Sequence, residues 1–158
     1  MTLEQNKIIV RRLVEEAINQ ANLAVFDELT VADVDFDAPP GIPRNREGWK
    51  QNRLLLQQGI PDAHWHITEM LAEGEMVACR FQFQGTHSGN LFGIPPTGKP
   101  INITGTSLLR LQDGRITWQR INNDDLGMMS QLGLFALPAN GNGPDGELIG
   151  TVGTQGNS

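Results

Sequence analysis

A polar run near the C-terminal end of the chain, WQRINNDDLG at residues 118–127, carries the side chains best suited to chemistry. Because successive side chains of a β-strand point to opposite faces, a strand here presents two alternating sets. One set begins apolar and becomes polar along its length: Ile116, Trp118, Arg120, Asn122 and Asp124. This gradient is typical of a strand that runs from the core into a pocket, which predicts that Asp124 faces that pocket. The alternative is that residues 122–125 form a polar turn and the N-cap of a following helix.

Three other side chains in the strand-like region are candidates for binding. His87 lies in GTHSG at the end of a predicted strand, where it either lines a pocket mouth or begins a loop. Arg80 is either a surface side chain or one whose guanidinium enters the cavity, and both alternatives stay open. His66 follows His64 by two positions, a spacing that permits metal binding, but no third ligand is indicated nearby. No metal site is therefore predicted.

Other kinds of chemistry lack their sequence motifs. The chain has no G-x-S-x-G nucleophile motif, and Cys79 has no histidine beside it, so we interpret this cysteine as a small core residue. The stretch GTHSGNLFG lacks the strand, helix and lysine of a phosphate-binding loop. If the protein carries out chemistry, proton transfer by a carboxylate is what remains.

The elements that must position these residues change in character near residue 62. Apolar spacing of three and four predicts a helix over residues 3–20, a short helix in NLAVFDEL, and a third from Asn45 to Gly59. A short strand in ADVDFDAPPG precedes the third helix, and from residue 62 onward a period of two predicts strands joined by tight turns. This order predicts an α+β fold, a cone-shaped curved antiparallel sheet with three N-terminal helices packed on one side. Such a cone has a mouth that favours a pocket.

Composition limits the domain organisation and the classes of partner. The 158 residues predict one domain over residues 1–137 and a Gly- and Asn-rich tail over residues 138–158. A formal net charge of −6 without a cluster of Lys and Arg argues against a nucleic-acid partner. The N-terminus lacks the apolar core of a signal peptide, and no run approaches the ~20 apolar residues of a membrane span. We therefore expect a cytoplasmic protein without a membrane partner.

A longer stretch, GTHSGNLFGIPPTGKPINITGTSLLRLQDGRITWQRINNDDLGMMSQLG at residues 85–133, resembles a known family. Its pattern GTHxGxxxGIPPTGK, followed by R-x-x-DG-x-I, D-x-LG and QLG, is similar to that of the SnoaL-like polyketide cyclases, or ester cyclases. These belong to the nuclear transport factor 2-like superfamily, whose fold is also called cystatin-like. The resemblance implies a cone-shaped α+β fold, a homodimer, no cofactor, and a small hydrophobic or polyketide-like ligand.

The resemblance also implies roles for individual residues. By motif position Asp124 is the acid/base of an intramolecular aldol-type ring closure. The polar partners expected in the pocket with it are His87, Arg120, Asn122, Trp118, Arg80 and His66. Family members tend to have a tryptophan four residues before the aspartate, where this chain has Arg120. A guanidinium there either favours the ionised carboxylate or binds an anionic group of the substrate.

Two alternatives keep the pocket and change the function. An epoxide hydrolase-like reaction needs a water held by several polar groups, which the row of Arg120, Asn122 and Asp124 could supply. A non-catalytic small-molecule-binding protein would use the same cone, since fold does not fix function. The chain has no tyrosine, so an oxyanion hole of the ketosteroid isomerase type, which relies on that residue, is not predicted.

Overall fold

A computed structural model describes residues 1–136 of the chain. The predicted tail and the domain boundary at residue 137 lie outside the described residues. Four α-helices, one π-helical segment and five strands follow in order: α1 (Leu3–Arg12), the π segment (Leu13–Asn19), α2 (Leu23–Leu29), β1 (Thr30–Asp35), α3 (Arg46–Gly59), β2 (His64–Glu73), β3 (Met76–Thr86), β4 (Pro100–Gln112), β5 (Arg115–Asn123) and α4 (Asp125–Gln131). The predicted α+β class with three N-terminal helical regions is confirmed.

The strands form one open sheet in the order β1-β5-β4-β3-β2. Neighbours from β5 to β2 are antiparallel as predicted, but β1 runs parallel to β5, so the sheet is mixed rather than wholly antiparallel. Parallel neighbours need a long crossover, and α3 with the three strands after it supplies one. The pairings of β1 with β5, of β2 with β3 and of β4 with β5 each contain a register shift, and such irregularities bend and twist strands locally.

The helix boundaries follow from local capping. Thr2 and Gln5 form a reciprocal capping box at the start of α1, and the Asn45 side chain accepts a hydrogen bond from the Gly48 N–H at 2.8 Å at the start of α3. The third helix therefore begins and ends as predicted. The first region differs, because the predicted helix over residues 3–20 changes to π-helical hydrogen bonding at Leu13.

Apolar side chains between the helices and the concave sheet face form two clusters. The first is built around Phe36 and Trp49, whose rings stack with centroids 5.2 Å apart. The second lies towards the loop between β3 and β4 and includes Phe81, Phe83 and Leu132. Cys79 is buried in the first cluster as predicted, and burial raises the pKa of its thiol to about 11. No helix among residues 1–136 is long and apolar enough to cross a membrane.

Candidate active site

Two cavities adjoin each other between the helices and the concave face of the sheet. The inner cavity has a volume of about 110 Å³ and the outer one about 300 Å³. Five residues line both: Asp37, Asn52, Leu56, Trp65 and Ile121. These residues therefore form the boundary between an inner chamber and an outer one. Concave apolar sites with a few convergent polar groups are typical of small-molecule sites.

The inner cavity is mainly apolar with a small polar group on one side. Its apolar walls include Val10, Leu13, Phe36, Trp49, Phe81 and Leu109. Its polar side chains are Asp37, Asn52, Arg53, Ser107 and Gln119. Water-excluding walls strengthen electrostatic interactions inside the cavity, so the positions of these five decide which chemistry is possible.

Asp37 is the carboxylate that borders both cavities. It follows the end of β1, and its Oδ2 accepts a hydrogen bond from the Ile121 N–H at 2.9 Å. Its Oδ1 lies 3.5 Å from Nε of Arg120, and its own N–H donates to Oε1 of Gln119 at 3.3 Å. Strand β5 therefore holds Asp37 through two contacts to its carboxylate and one to its backbone. The side chain keeps 34% of its exposure, which leaves it accessible to a ligand.

Arg120 reaches Asp37 from the other side of the sheet. Its guanidinium also pairs with the carboxylate of Asp35 and donates to the Asp35 carbonyl at 3.0 Å. Arg120, and then Arg44, hold the pKa of Asp35 below its usual value. Arg120 thus lies between the carboxylates of Asp35 and Asp37. It acts as a positioning residue for Asp37, the carboxylate that borders the cavities.

Two neutral polar residues continue the polar side into the core. The Gln119 Nε2 donates to Oγ of Ser107 at 3.0 Å, and both side chains are buried. They lie on β5 and β4 and satisfy each other, as buried polar groups require. The same Gln119 amide anchors the backbone of Asp37 through its oxygen.

Arg53 on α3 is a buried cation in the inner cavity. The residue is 5% exposed, its Nε donates to the Ile18 carbonyl at 2.6 Å, and its guanidinium carbon lies 5.8 Å from the Trp65 ring centroid. No carboxylate oxygen of residues 1–136 lies within 4.0 Å of it, and its Nη1 has no hydrogen-bond partner there. Burial lowers the pKa of this guanidinium. The neighbouring Asn52 has an equally unpartnered buried Oδ1.

The predicted pocket face of β5 is wrong by one residue in register. Gln119 and Ile121 line the inner cavity, whereas Trp118, Arg120 and Asn122 lie on the outer face. The buried positions of β4 from Ile101 to Leu111 alternate strictly and face the helices. Ile116 lies opposite buried Leu111, but Thr117 is an extra residue in β5, so the faces of β5 exchange before Trp118. Trp118, Arg120 and Asn122 pair with β4 positions that are exposed, and so they point away from the cavity. On the outer face the Trp118 ring lies under two guanidiniums, 5.2 Å from that of Arg110 and 4.6 Å from that of Arg120.

Asp124 does not face a cavity. It is the N-cap of α4, and its Oδ1 accepts a hydrogen bond from the Gly127 N–H at 2.9 Å. The residue is exposed and lines neither chamber. The expectation of an enclosed aspartate is therefore corrected to the alternative of a polar turn and helix cap. The turn redirects the chain at Asp124, so the next carboxylate, Asp125, lines the outer cavity.

The structure places the other three predicted binding residues away from the two chambers. Arg80 is exposed on the outer face of β3 and His66 on the exposed face of β2, where it borders a separate surface depression. His87 is fully buried, and its Nδ1 accepts the N–H of Thr97 at 3.3 Å. Its backbone exchanges hydrogen bonds with Lys99 and Gly98. His87 therefore fixes the loop after β3 rather than a pocket mouth.

Two site residues, Arg53 and Asp37, were not predicted, and the sequence contains a recognisable pattern only for Arg53. Trp49, Arg53 and Leu56 recur at helical spacing along α3, and Ile60 at its C-cap continues the spacing. Arg53 is the charged member of this otherwise apolar set. A charged residue on an apolar helix face predicts a buried charge. Asp37 had no such signal, because it lies in an irregular segment whose contacts are more than eighty positions away along the chain.

Comparison with known proteins agrees with this architecture. The sequence profile of the SnoaL-like polyketide cyclases matches residues 8–132. The chain belongs to this family. It is 36% identical over 72 residues to aklanonic acid methyl ester cyclase DnrD of Streptomyces peucetius. The aligned region covers 46% of this chain and 50% of DnrD. The chain thus spans about half the length of this curated relative.

Solved structures of the SnoaL-like fold resemble the chain more completely. Wild-type IdmH of Streptomyces antibioticus, a candidate polyketide cyclase, is 35% identical with a TM-score of 0.72, covering 82% of this chain and 99% of that one. TsrD of Streptomyces laurentii has a TM-score of 0.78 at 19% identity, covering 85% of this chain and 99% of that one. The second likeness shows the fold alone.

Proposed function

We propose that this protein is a cofactor-independent polyketide cyclase that uses an aspartate as acid and base, and that this aspartate is Asp37. The observation that carries the proposal is the position of Asp37 at the boundary of both chambers. A ligand that spans the two chambers has to pass this carboxylate. Membership of the SnoaL-like family supports the reaction class, and DnrD bears the name of an aklanonic acid methyl ester cyclase.

The reaction is an intramolecular aldol closure. The Asp37 carboxylate removes a proton from a carbon alpha to one carbonyl, and the enolate carbon forms a bond to a second carbonyl carbon of the same molecule. The proton held by Asp37 then returns to the alkoxide oxygen, so the product is an isomer of the substrate. The contacts from Ile121 and Arg120 keep the carboxylate oriented without occupying its whole surface.

Matched amide variants test the assignment. Asp37→Asn should lower kcat/KM for ring closure by about 10²–10⁴-fold, the usual contribution of a general base, whereas Asp124→Asn keeps the cap and should keep the activity. The measurement is turnover of aklanonic acid methyl ester and related polyketides, each offered both as the methyl ester and as the free acid, followed by absorbance and mass spectrometry. Loss of activity in Asp124→Asn alone would return the role to Asp124. Turnover untouched by either variant would leave the aspartate mechanism without support.

Epoxide opening is the second candidate, and one observation favours it. Asn52 has an unpartnered Oδ1 and borders both chambers together with Asp37, an arrangement that can hold a water between an amide and a carboxylate. Mass spectrometry separates the two reactions, because cyclisation leaves the mass unchanged and epoxide opening adds one water. If no substrate of either class is turned over, a binding protein of the same fold remains.

We also propose that two copies associate through the outer face of the sheet. The central strand β4 exposes alternate residues along this whole face. Leu108 of β4 is exposed there next to β5, which carries Trp118 between the guanidiniums of Arg110 and Arg120, and Leu71 of β2 is exposed further along the same face. The face thus mixes apolar side chains, an aromatic ring and arginine, a composition enriched at protein interfaces.

A further inference from the structure

We propose that Arg53 binds a carboxylate of the ligand in the inner cavity, so that the natural substrate is an apolar molecule with one free acid group. The inference deepens the proposed function, on which it rests for the reaction but not for binding. It starts from the unpaired guanidinium of Arg53, which lies inside the cavity at 5% exposure.

The described residues supply the Arg53 guanidinium with only part of the hydrogen-bond acceptors and negative charge that a buried cation requires. Arg53 has one hydrogen bond, from Nε to the Ile18 carbonyl, and one ring contact, with Trp65. Its Nη1 is buried without a partner among residues 1–136, and no carboxylate of that region lies within ion-pair distance. An arginine side chain stays protonated in proteins, so it cannot remove this cost by losing its proton. A ligand carboxylate would supply the missing charge and acceptor together.

The rest of the cavity defines the remainder of that ligand. The walls around Arg53 are aromatic and aliphatic, including Phe36, Trp49 and Leu56. They fit a hydrocarbon or aromatic body and offer few further polar contacts. The unpartnered Oδ1 of Asn52 calls for a donor, which a hydroxyl of a polyketide provides.

The positions of Arg53 and Asp37 then fix the orientation of the ligand. Arg53 lines the inner chamber but not the outer one, whereas Asp37 borders both chambers. With its carboxylate at Arg53, the ligand extends outward past Asp37 into the larger chamber. The carbon that loses a proton is therefore separated from the acid group by the part of the ligand that fills the inner chamber.

A binding measurement tests this without any turnover. Isothermal titration calorimetry compares 2-naphthoate with methyl 2-naphthoate, which have the same aromatic body and differ in charge. The wild-type protein should bind the acid about tenfold tighter or more, because a charge-assisted hydrogen bond in a dry site exceeds the ester contact. Arg53→Met should lower the acid affinity about tenfold or more and leave the ester affinity within about twofold.

Two further variants make the result interpretable. Arg53→Lys keeps the charge but not the planar fork, so it should retain part of the preference, and it serves if Arg53→Met does not fold. Arg115→Met removes an exposed arginine of β5 and should leave the preference unchanged. Equal or tighter binding of the ester by wild-type protein overturns the proposal, as does a full preference in the folded Arg53 variants. Failure of the Asp37 chemistry would show in turnover and leave this acid preference standing.

Discussion

At the scale of single residues, two aspartates that each follow the end of a strand have different surroundings. Asp37 receives contacts from a backbone N–H and a guanidinium and borders the cavities, while Asp124 is exposed and caps α4. An N-cap contributes to stability by satisfying a helix N–H that has no partner within the helix. Loss of activity and loss of stability are therefore expected at different aspartates.

Asp124→Ala should lower the free energy of unfolding by about 1 kcal/mol, whereas Asp124→Asn should leave it nearly unchanged, because asparagine caps as well as aspartate. Urea denaturation of both variants measures the difference. Gly127→Ala is a second check, since a Cβ there would lie within van der Waals overlap of the Asp124 carboxylate and displace it. If Asp124→Ala unfolded at the same urea concentration as the wild-type protein, the Asp124 cap would contribute nothing to stability.

The sequence predicted strict alternation along β5, and it could not decide which residues point inward or show that Thr117 is an extra residue that exchanges the faces. That choice depends on pairing with β4, where Leu109 lies opposite Gln119 and Leu108 opposite Arg120. The irregularity after Ile116 exchanges the two faces, so a correct strand prediction still placed Trp118, Arg120 and Asn122 on the wrong face. Asp37 was not predictable, because contacts distant in sequence position it.

At the scale of elements, the Asn19 side chain joins the end of the π segment to β2 by two hydrogen bonds. The Asn19 amide donates to the Trp65 carbonyl at 2.8 Å, and its Oδ1 accepts the Trp65 N–H at 2.9 Å. Trp65 in turn borders both chambers. Asn19 therefore ties the end of the first helical region to one wall of the site.

Asn19→Ala should lower the free energy of unfolding by about 2 kcal/mol, since two hydrogen bonds contribute about 1 kcal/mol each and leave buried partners unsatisfied. Chemical denaturation checks this against Gln20→Ala, an exposed neighbour whose loss should stay within about 0.5 kcal/mol. If the two substitutions lowered the free energy of unfolding equally, the hydrogen bonds between Asn19 and Trp65 would not stabilise the attachment of β2.

Helix prediction from sequence succeeded where caps marked the ends and missed the internal change of geometry. Asn45 and Gly59 bound α3 as their residue types indicate. The transition at Leu13 left no mark, because π-helical bonding alters the periodicity by less than a short apolar pattern can reveal. The π segment borders the proposed site, since Leu13 and Ile18 line the inner cavity.

At the scale of the whole molecule, the order of helices and hairpins was enough to predict the α+β class. The parallel pairing of β1 was not predictable, because the strand carries no local signal for the direction of its neighbour. The same sheet that closes the cavities on one side leaves its other face open to solvent. The proposed homodimer would cover that face.

Leu108→Lys should convert the proposed dimer to a monomer. Leu108 is 39% exposed at the centre of the outer face, its strand neighbour Arg110 lies on the same face, and Arg120 lies opposite on β5. In a two-fold dimer each new cation meets a second set of the same charges, and burying them unpaired is costly. Sedimentation equilibrium measures the mass.

Leu54→Lys is the matched control for this prediction. Leu54 is 44% exposed on α3, away from the sheet, so its substitution should leave the mass unchanged. A wild-type protein that sediments as a monomer would contradict the dimer, and a Leu108→Lys dimer would place its interface elsewhere.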